Sequence, residues 1–196
     1  LNPEVCNRCH QAEAYFSELN LACVFSTGKE HMESPYSEEG QSCQHCHMPS
    51  VERPLVSGGE VRSTRRHFFG GSQIAKVIGK EDEVSQMAQY YSHGLSITTQ
   101  VVSEKGREGV NVEYENANAG HMLPTGDPER FIVIRIRIVD SKTQIVFEEE
   151  ERIGIIYQWY PEVKKMSDNR LKPKEKRVLS TTLSHLQKGE YTVIVE

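Results

Sequence analysis

Two pentapeptides, Cys6-Asn-Arg-Cys9-His10 and Cys43-Gln-His-Cys46-His47, constrain the fold of this chain more than any other feature. Two thiols three residues apart, followed at once by an imidazole, match one edge of a porphyrin. Each thiol adds across a vinyl group to form a thioether, and the histidine then meets the iron from one face. A disulfide inside either pair closes too short a loop to brace a fold, and five cysteines leave one thiol over. The rival is a single zinc ion on all four thiolates. The stretch from His10 to Ser42 between the pairs is longer than a zinc ribbon uses, and zinc requires no histidine after each pair. Every histidine except His185 falls by position 121. The motifs therefore read as two covalently attached haems c, with Cys6, Cys9, Cys43 and Cys46 as attachment points and His10 and His47 as proximal iron ligands.

A third haem, on a single thioether, is the bolder reading of Cys23. In Cys23-Val-Phe-Ser26-Thr27, serine stands where a second cysteine would be and threonine where the histidine would be. A buried free thiol is the plain alternative. Six histidines, His10, His31, His47, His67, His93 and His121, suffice for three irons with two imidazoles each. The distal ligand decides the chemistry, because six-coordinate iron transfers electrons and an open position invites ligand binding. His31, His67 and His121 are the distal candidates, and His93 is a fourth. His67 is followed by Phe68-Phe69-Gly70-Gly71, where aromatic rings suit a macrocycle and glycines allow close approach. His45 lies inside the second motif, beside the haem edge, and His185 reads as surface. Met32, Met48 and Met122 each adjoin a histidine and read as packing residues. Arg62, Arg65 and Arg66 are either propionate partners or a solvated basic run.

Hydrophobic residues make up only 37% of the chain, and haem, a large apolar body, could supply the missing core. The formal charge of −5 offers no basic field to a nucleic acid. No apolar run is long enough to span a membrane. The chain starts at Leu1, which reads as a mature chain after removal of an export signal, bound for the periplasm, the cell surface or the extracellular space.

The expected fold class is α+β in two parts. Residues 1–94 form a haem-binding region of low secondary structure with short helices, one at Gln11–Ala22 and one from Ser72 to about His93 that breaks near Gly79 and stops at Gly94. Ser50–Gly59 reads as loop. Residues 95–196 form an antiparallel β-sandwich of immunoglobulin-like kind that contributes a distal ligand from a loop. Its seven strands are Leu95–Val102, Val110–Tyr114, Phe131–Val139, Gln144–Phe147, Ile153–Trp159, Arg177–Thr182 and Tyr191–Val195. Glu148–Glu151 and Arg152 read as a solvent-facing edge or turn.

Pro35-Tyr-Ser-Glu-Glu-Gly-Gln-Ser-Cys-Gln-His-Cys-His-Met-Pro49, then His67-Phe-Phe-Gly-Gly71, then Gly120-His-Met-Leu-Pro-Thr-Gly126, resemble prokaryotic multihaem c-type cytochromes. These include extracellular cytochromes of metal-reducing microbes and cytochromes that polymerise into conductive filaments. The resemblance covers roughly residues 1–140. It implies an electron conduit with closely stacked bis-histidine haems, in which the residues matching His31, His67 and His121 are distal ligands. In filament-forming members, a histidine of one subunit can ligate a haem of its neighbour. Filament subunits usually carry four haems, more than the two intact motifs here. The expected function is electron transfer to redox partner proteins or extracellular acceptors, with homo-oligomer or filament assembly. The rivals are a small redox enzyme with an open iron position and a docking subunit of a larger cytochrome complex.

Overall fold

In this computed structural model the described residues are 4–19, 21–65, 78–88, 92–104 and 107–196. Before residue 95 the chain is built from short pieces. Helix α1 (Glu4–His10) holds the first pentapeptide. A hairpin of β1 (Ala12–Phe16) and β2 (Leu21–Phe25) follows, with Ala14 opposite Cys23. Helices α2 (Thr27–Met32), α3 (Pro35–Glu38) and α4 (Cys43–His47) come next, the last being the second pentapeptide. A second hairpin pairs β3 (Ser50–Arg53) with β4 (Arg62–Arg65), and α5 (Glu81–Ala88) completes the region.

Helices this short are not stable alone, so end contacts matter. The Ser34 hydroxyl accepts from the Ser37 N–H at 3.4 Å, with Pro35 at the first helical position of α3. Ser42 and His45 form a reciprocal cap on α4, His45 Nδ1 accepting from the Ser42 N–H at 2.9 Å.

Three expectations for this region change. The helix expected at Gln11–Ala22 is the β1–β2 hairpin. Ala14, Phe16, Leu19 and Leu21 scatter around a helix instead of forming a stripe, and Tyr15, Phe16, Val24 and Phe25 are strand formers. Ser50–Gly59 is loop only after Arg53, because Val51 and Glu52 pair with Thr64 and Ser63. The helix expected from Ser72 to His93 is present from Glu81 to Ala88, after a turn at Gly79 whose φ of +82° suits glycine. Gly94 lies beyond it, and a Cβ there would be 3.3 Å from Ala119 and Leu123, so this glycine permits close packing. Residues 66–77 and 89–91, His67 among them, lie outside the described residues.

The remaining strands are β5 (Leu95–Glu104), β6 (Arg107–Asn116), β7 (Phe131–Val139), β8 (Ile145–Gln158), β9 (Lys164–Asp168), β10 (Lys176–Thr182) and β11 (Thr192–Val195). They form two antiparallel sheets, ordered β10-β6-β5 and β11-β7-β8-β9. Strand β7 sets the core. Side chains alternate faces along a strand, so Ile134, Ile136 and Ile138 point one way and Arg135 and Arg137 the other. The isoleucines are buried with Val110, Val112 and Tyr114 of β6, Ile153 of β8, and Leu171. The architecture is α+β, with a few short helices and antiparallel strands in several sheets. Before residue 95, the buried apolar side chains among the described residues are Ala22 and Tyr36.

The strands expected at Gln144–Phe147 and Ile153–Trp159 are one, β8, and the acidic run lies within it. Glu148 and Glu150 face outward and pair with Arg137 and Arg135 across the sheet. Glu149 and Glu151 stand opposite Ile136 and Ile134 on the inner face, where the Tyr114 hydroxyl donates to Glu151 at 2.5 Å. Opposite charges directly across a strand pair favour continuing the ladder through residues that look like a turn in isolation. Strand β9 has no counterpart among the expected strands, since Lys164-Lys-Met-Ser-Asp168 is exposed throughout and shows no apolar alternation.

Candidate functional site

Each pentapeptide is one turn of helix. In α1, Cys6, Cys9 and His10 occupy positions i, i+3 and i+4, which share a helix face; Cys43, Cys46 and His47 do the same in α4. Both helices thus present two thiols and an imidazole to one side. The two motifs also meet. Burial, and then the negative charge of a neighbouring Cys6 thiolate, push the Cys43 thiol above its ordinary range.

Arg65 braces α4. Its Nη1 donates to the carbonyls of Gln44 and Met48, each at 3.0 Å, satisfying the helix end. Arg65 is therefore not simply solvated, whereas Arg62 is exposed and Arg66 lies outside the described residues. His45 belongs to the α4 cap described above and is exposed.

His121 lies in the loop between β6 and β7, and its ring meets the ring of His47. The centroids are 6.2 Å apart and the planes within 13° of parallel. Metal–imidazole bonds are about 2 Å long, which puts two imidazoles on one metal ion about 6 Å apart between centroids. His121 Nδ1 lies 2.9 Å from the Met122 carbonyl, which can only accept, so Nδ1 carries the proton and Nε2 the lone pair. Such a carbonyl partner on the second ring nitrogen is how ligating histidines are commonly oriented. Burial holds the imidazole below its ordinary pKa, which keeps it neutral near pH 7, the form that binds metal.

The loop is held from below by Asn116. Its carboxamide donates to the carbonyls of His121 at 2.8 Å and Leu171 at 3.3 Å, and accepts from the Ala119 N–H at 3.1 Å. Asn116 is fully buried and shares a strand face with Val110, Val112 and Tyr114. A carboxamide in the fourth core-facing position of β6 is a signal readable in the sequence. Asn116→Ala is expected to cost about 1–3 kcal/mol, because it strands buried backbone groups. Chemical denaturation of the protein checks this.

The other predicted residues fall as follows. The His31 ring packs on Gly120, where an added Cβ would lie 3.1 Å from its Cδ2, so His31 sits next to the His121 loop. His10 is half-buried at the end of α1, and α1 lies close to α2: a side chain at Gly28 would run into the Asn7 carboxamide. His93 is exposed, and its carbonyl accepts from Asn118 at 2.9 Å. His185 is exposed against Phe147. Cys23 is half-buried in β2 and lines a cleft of about 390 Å3 with Phe25, Pro128 and Trp159, and no histidine is among the described lining residues. Ser26 and Thr27 begin α2.

The described residues fit haem c at the second motif. A porphyrin supplies four nitrogens to its iron and asks two donors of the protein, which His47 and His121 can provide. Among the described residues no group of three or more His, Cys, Asp or Glu is arranged to hold a metal ion.

No family model matches the sequence, and no curated protein matches it. Among solved structures, a penta-heme cytochrome c552 from Thermochromatium tepidum is similar, with a TM-score of 0.60 and 18% identity over 92% of this chain. The fold is shared with part of a multihaem cytochrome. This chain spans 44% of that protein's length, and at such low identity the likeness is one of fold.

Proposed function

We propose that the chain is an electron-transfer protein, a multihaem c-type cytochrome with haem c on Cys6, Cys9 and His10 and on Cys43, Cys46 and His47. The observation that carries this is the His47–His121 ring pair at 6.2 Å, one imidazole from a haem motif and the other from a loop far along the chain. The shared fold with a penta-heme cytochrome supports it from outside the sequence.

Haem iron, when bound, supplies the one-electron ferric–ferrous couple. The chain's own residues do the rest. The thiols would anchor the group and His47 and His121 would hold its metal, while Asn116 and Arg65 fix the backbone behind those two histidines. With two imidazoles available to one iron, a carrier is favoured over an enzyme with an open iron. His31 and His67 are the candidates for completing the first centre, and His93 for a further one. The contact of Cys6 with Cys43 supports closely spaced haems, since it draws the two attachment edges together. In the same proposal, residues 1–94 form the haem region and residues 95–196 an immunoglobulin-like sandwich that lends His121. A third haem on Cys23, export to the periplasm or cell surface, redox partners or extracellular acceptors, and filament assembly rest on the sequence and its resemblance.

The test is the intact mass and visible spectrum of the protein exported with its cofactor. The expected result is at least two covalent haems per chain, a low-spin spectrum, and no carbon monoxide binding under native conditions. Colourless protein, or zinc at the thiols, overturns it. A third mass increment would assign Cys23.

A further inference from the structure

Outside the two pentapeptides, the most unusual polar feature is a buried ion-pair network joining α2 to the sheets. Glu30 of α2 is buried, its side chain 6% exposed, and Arg170, which follows β9, is 9% exposed. Arg170 Nη1 donates to Glu30 Oε1 at 2.6 Å, while its Nε and Nη2 donate to the two oxygens of Asp168 at 2.9 and 3.0 Å. The other Glu30 oxygen accepts from the Thr125 hydroxyl at 2.6 Å. That hydroxyl has one proton and gives it to the carboxylate, so the 2.8 Å contact between Thr27 and Thr125 has Thr27 as donor.

The position of this network matters more than its strength. Glu30 is the neighbour of His31 in sequence. Thr125 is in the loop that carries His121, and Leu171, next to Arg170, bridges to Leu123 of that same loop. One carboxylate therefore ties together the helix bearing the distal candidate His31, the loop bearing a second, His121, and the sheet edge beneath both. The His31 ring already touches Gly120, so any shift of α2 relative to the loop moves both imidazoles. Buried charges are costly unless paired, and a pair retained here is best explained by the geometry it enforces. We infer that Glu30 and Arg170 are positioning residues: their ion pair, with Thr125, sets the spacing between α2 and the 121–126 loop and so holds His121 opposite His47. This rests on the haem proposal above, and it adds residues that touch neither the pentapeptide thiols nor the ligating imidazoles.

The experiment uses the haem-loaded protein. Wild type with covalent haem and a low-spin spectrum establishes the haem proposal, whatever the variants do. Glu30→Ala is then expected to convert one haem per chain to a high-spin form that binds carbon monoxide, with its reduction potential raised by loss of the second imidazole. Glu30→Gln keeps the reach, its oxygen accepting from Arg170 and its amide N–H donating to the Thr125 hydroxyl in the reversed sense, and is expected to restore the low-spin spectrum even if it lowers the melting temperature. A merely structural role would lower the melting temperature of both variants and leave both spectra unchanged, and that result overturns the proposal. Should Glu30→Ala fail to fold, Thr125→Val decides, since it removes the hydroxyl that links α2 to the loop through Glu30 and Thr27 and leaves the Glu30–Arg170 pair in place: partial high-spin character supports the proposal, and an unchanged spectrum overturns it.

Discussion

Replacing Cys43 and Cys46 together by serine is expected to remove one haem from the intact mass and to release α4 from its fold, while both sheets remain intact. Helix α4 is a single turn held by a cap at one end and by Arg65 at the other. Before residue 95 the described chain buries only Ala22 and Tyr36 among its apolar side chains, whereas the sheets bury a continuous set from Val110 to Leu171. A region with so little apolar burial among its described residues gains little to offset the entropy of ordering its backbone, so under the proposed function the macrocycle is the body on which it packs. Hydrogen exchange checks this directly. Amides of α4 should lose protection by about a hundredfold or more, roughly 3 kcal/mol of opening free energy, while β6 and β7 keep theirs. Retained protection in α4 without its haem would show that the polypeptide alone supports the turn.

The second large effect is expected at His121. His121→Ala should leave the haem covalently attached, since neither thiol is touched, yet open the position opposite His47. The spectrum should turn high-spin, carbon monoxide should bind, and the reduction potential should rise as the iron loses a strong donor. Removing the ring also leaves a space of its own shape, so free imidazole added to the variant should restore the low-spin spectrum. The sheets should hardly respond, because the loop stays tied through Asn116 and the Leu123–Leu171 bridge. A variant whose spectrum matches wild type would assign the distal ligand elsewhere, to His31 or His67 first.

The two pentapeptides and β7 were legible in the sequence because their information is local. Cysteine spacing within one helical turn, and isoleucine alternating with arginine, do not depend on distant partners. The β1–β2 hairpin is not legible in this way, because its strands are stabilised by each other and its scattered apolar residues suit a short helix as well. Strand β8 was divided in two because its acidic run is satisfied by Arg135 and Arg137 on the neighbouring strand, which no window along the chain includes. For the site, His121 could be named from its glycine- and proline-rich setting, but its meeting with His47 is a tertiary fact. Glu30 and Arg170 were invisible for the same reason: nothing near Glu30 in sequence distinguishes it from the exposed Glu33. Asn116 could have been found, as a polar residue continuing a core-facing row.

From Ile145 to Arg152, strand β8 is bonded to β7 on one side, and among the described residues no strand covers the other. An open rim of that length would ordinarily invite a foreign strand to zip onto it. Here the newcomer would have to lie beside Glu149 and Glu151, carboxylates already turned toward the interior, and strip them of water. Crowded copies of this protein are thereby discouraged from fusing sheet to sheet at that rim, and any orderly stacking of subunits has to be built through other surfaces.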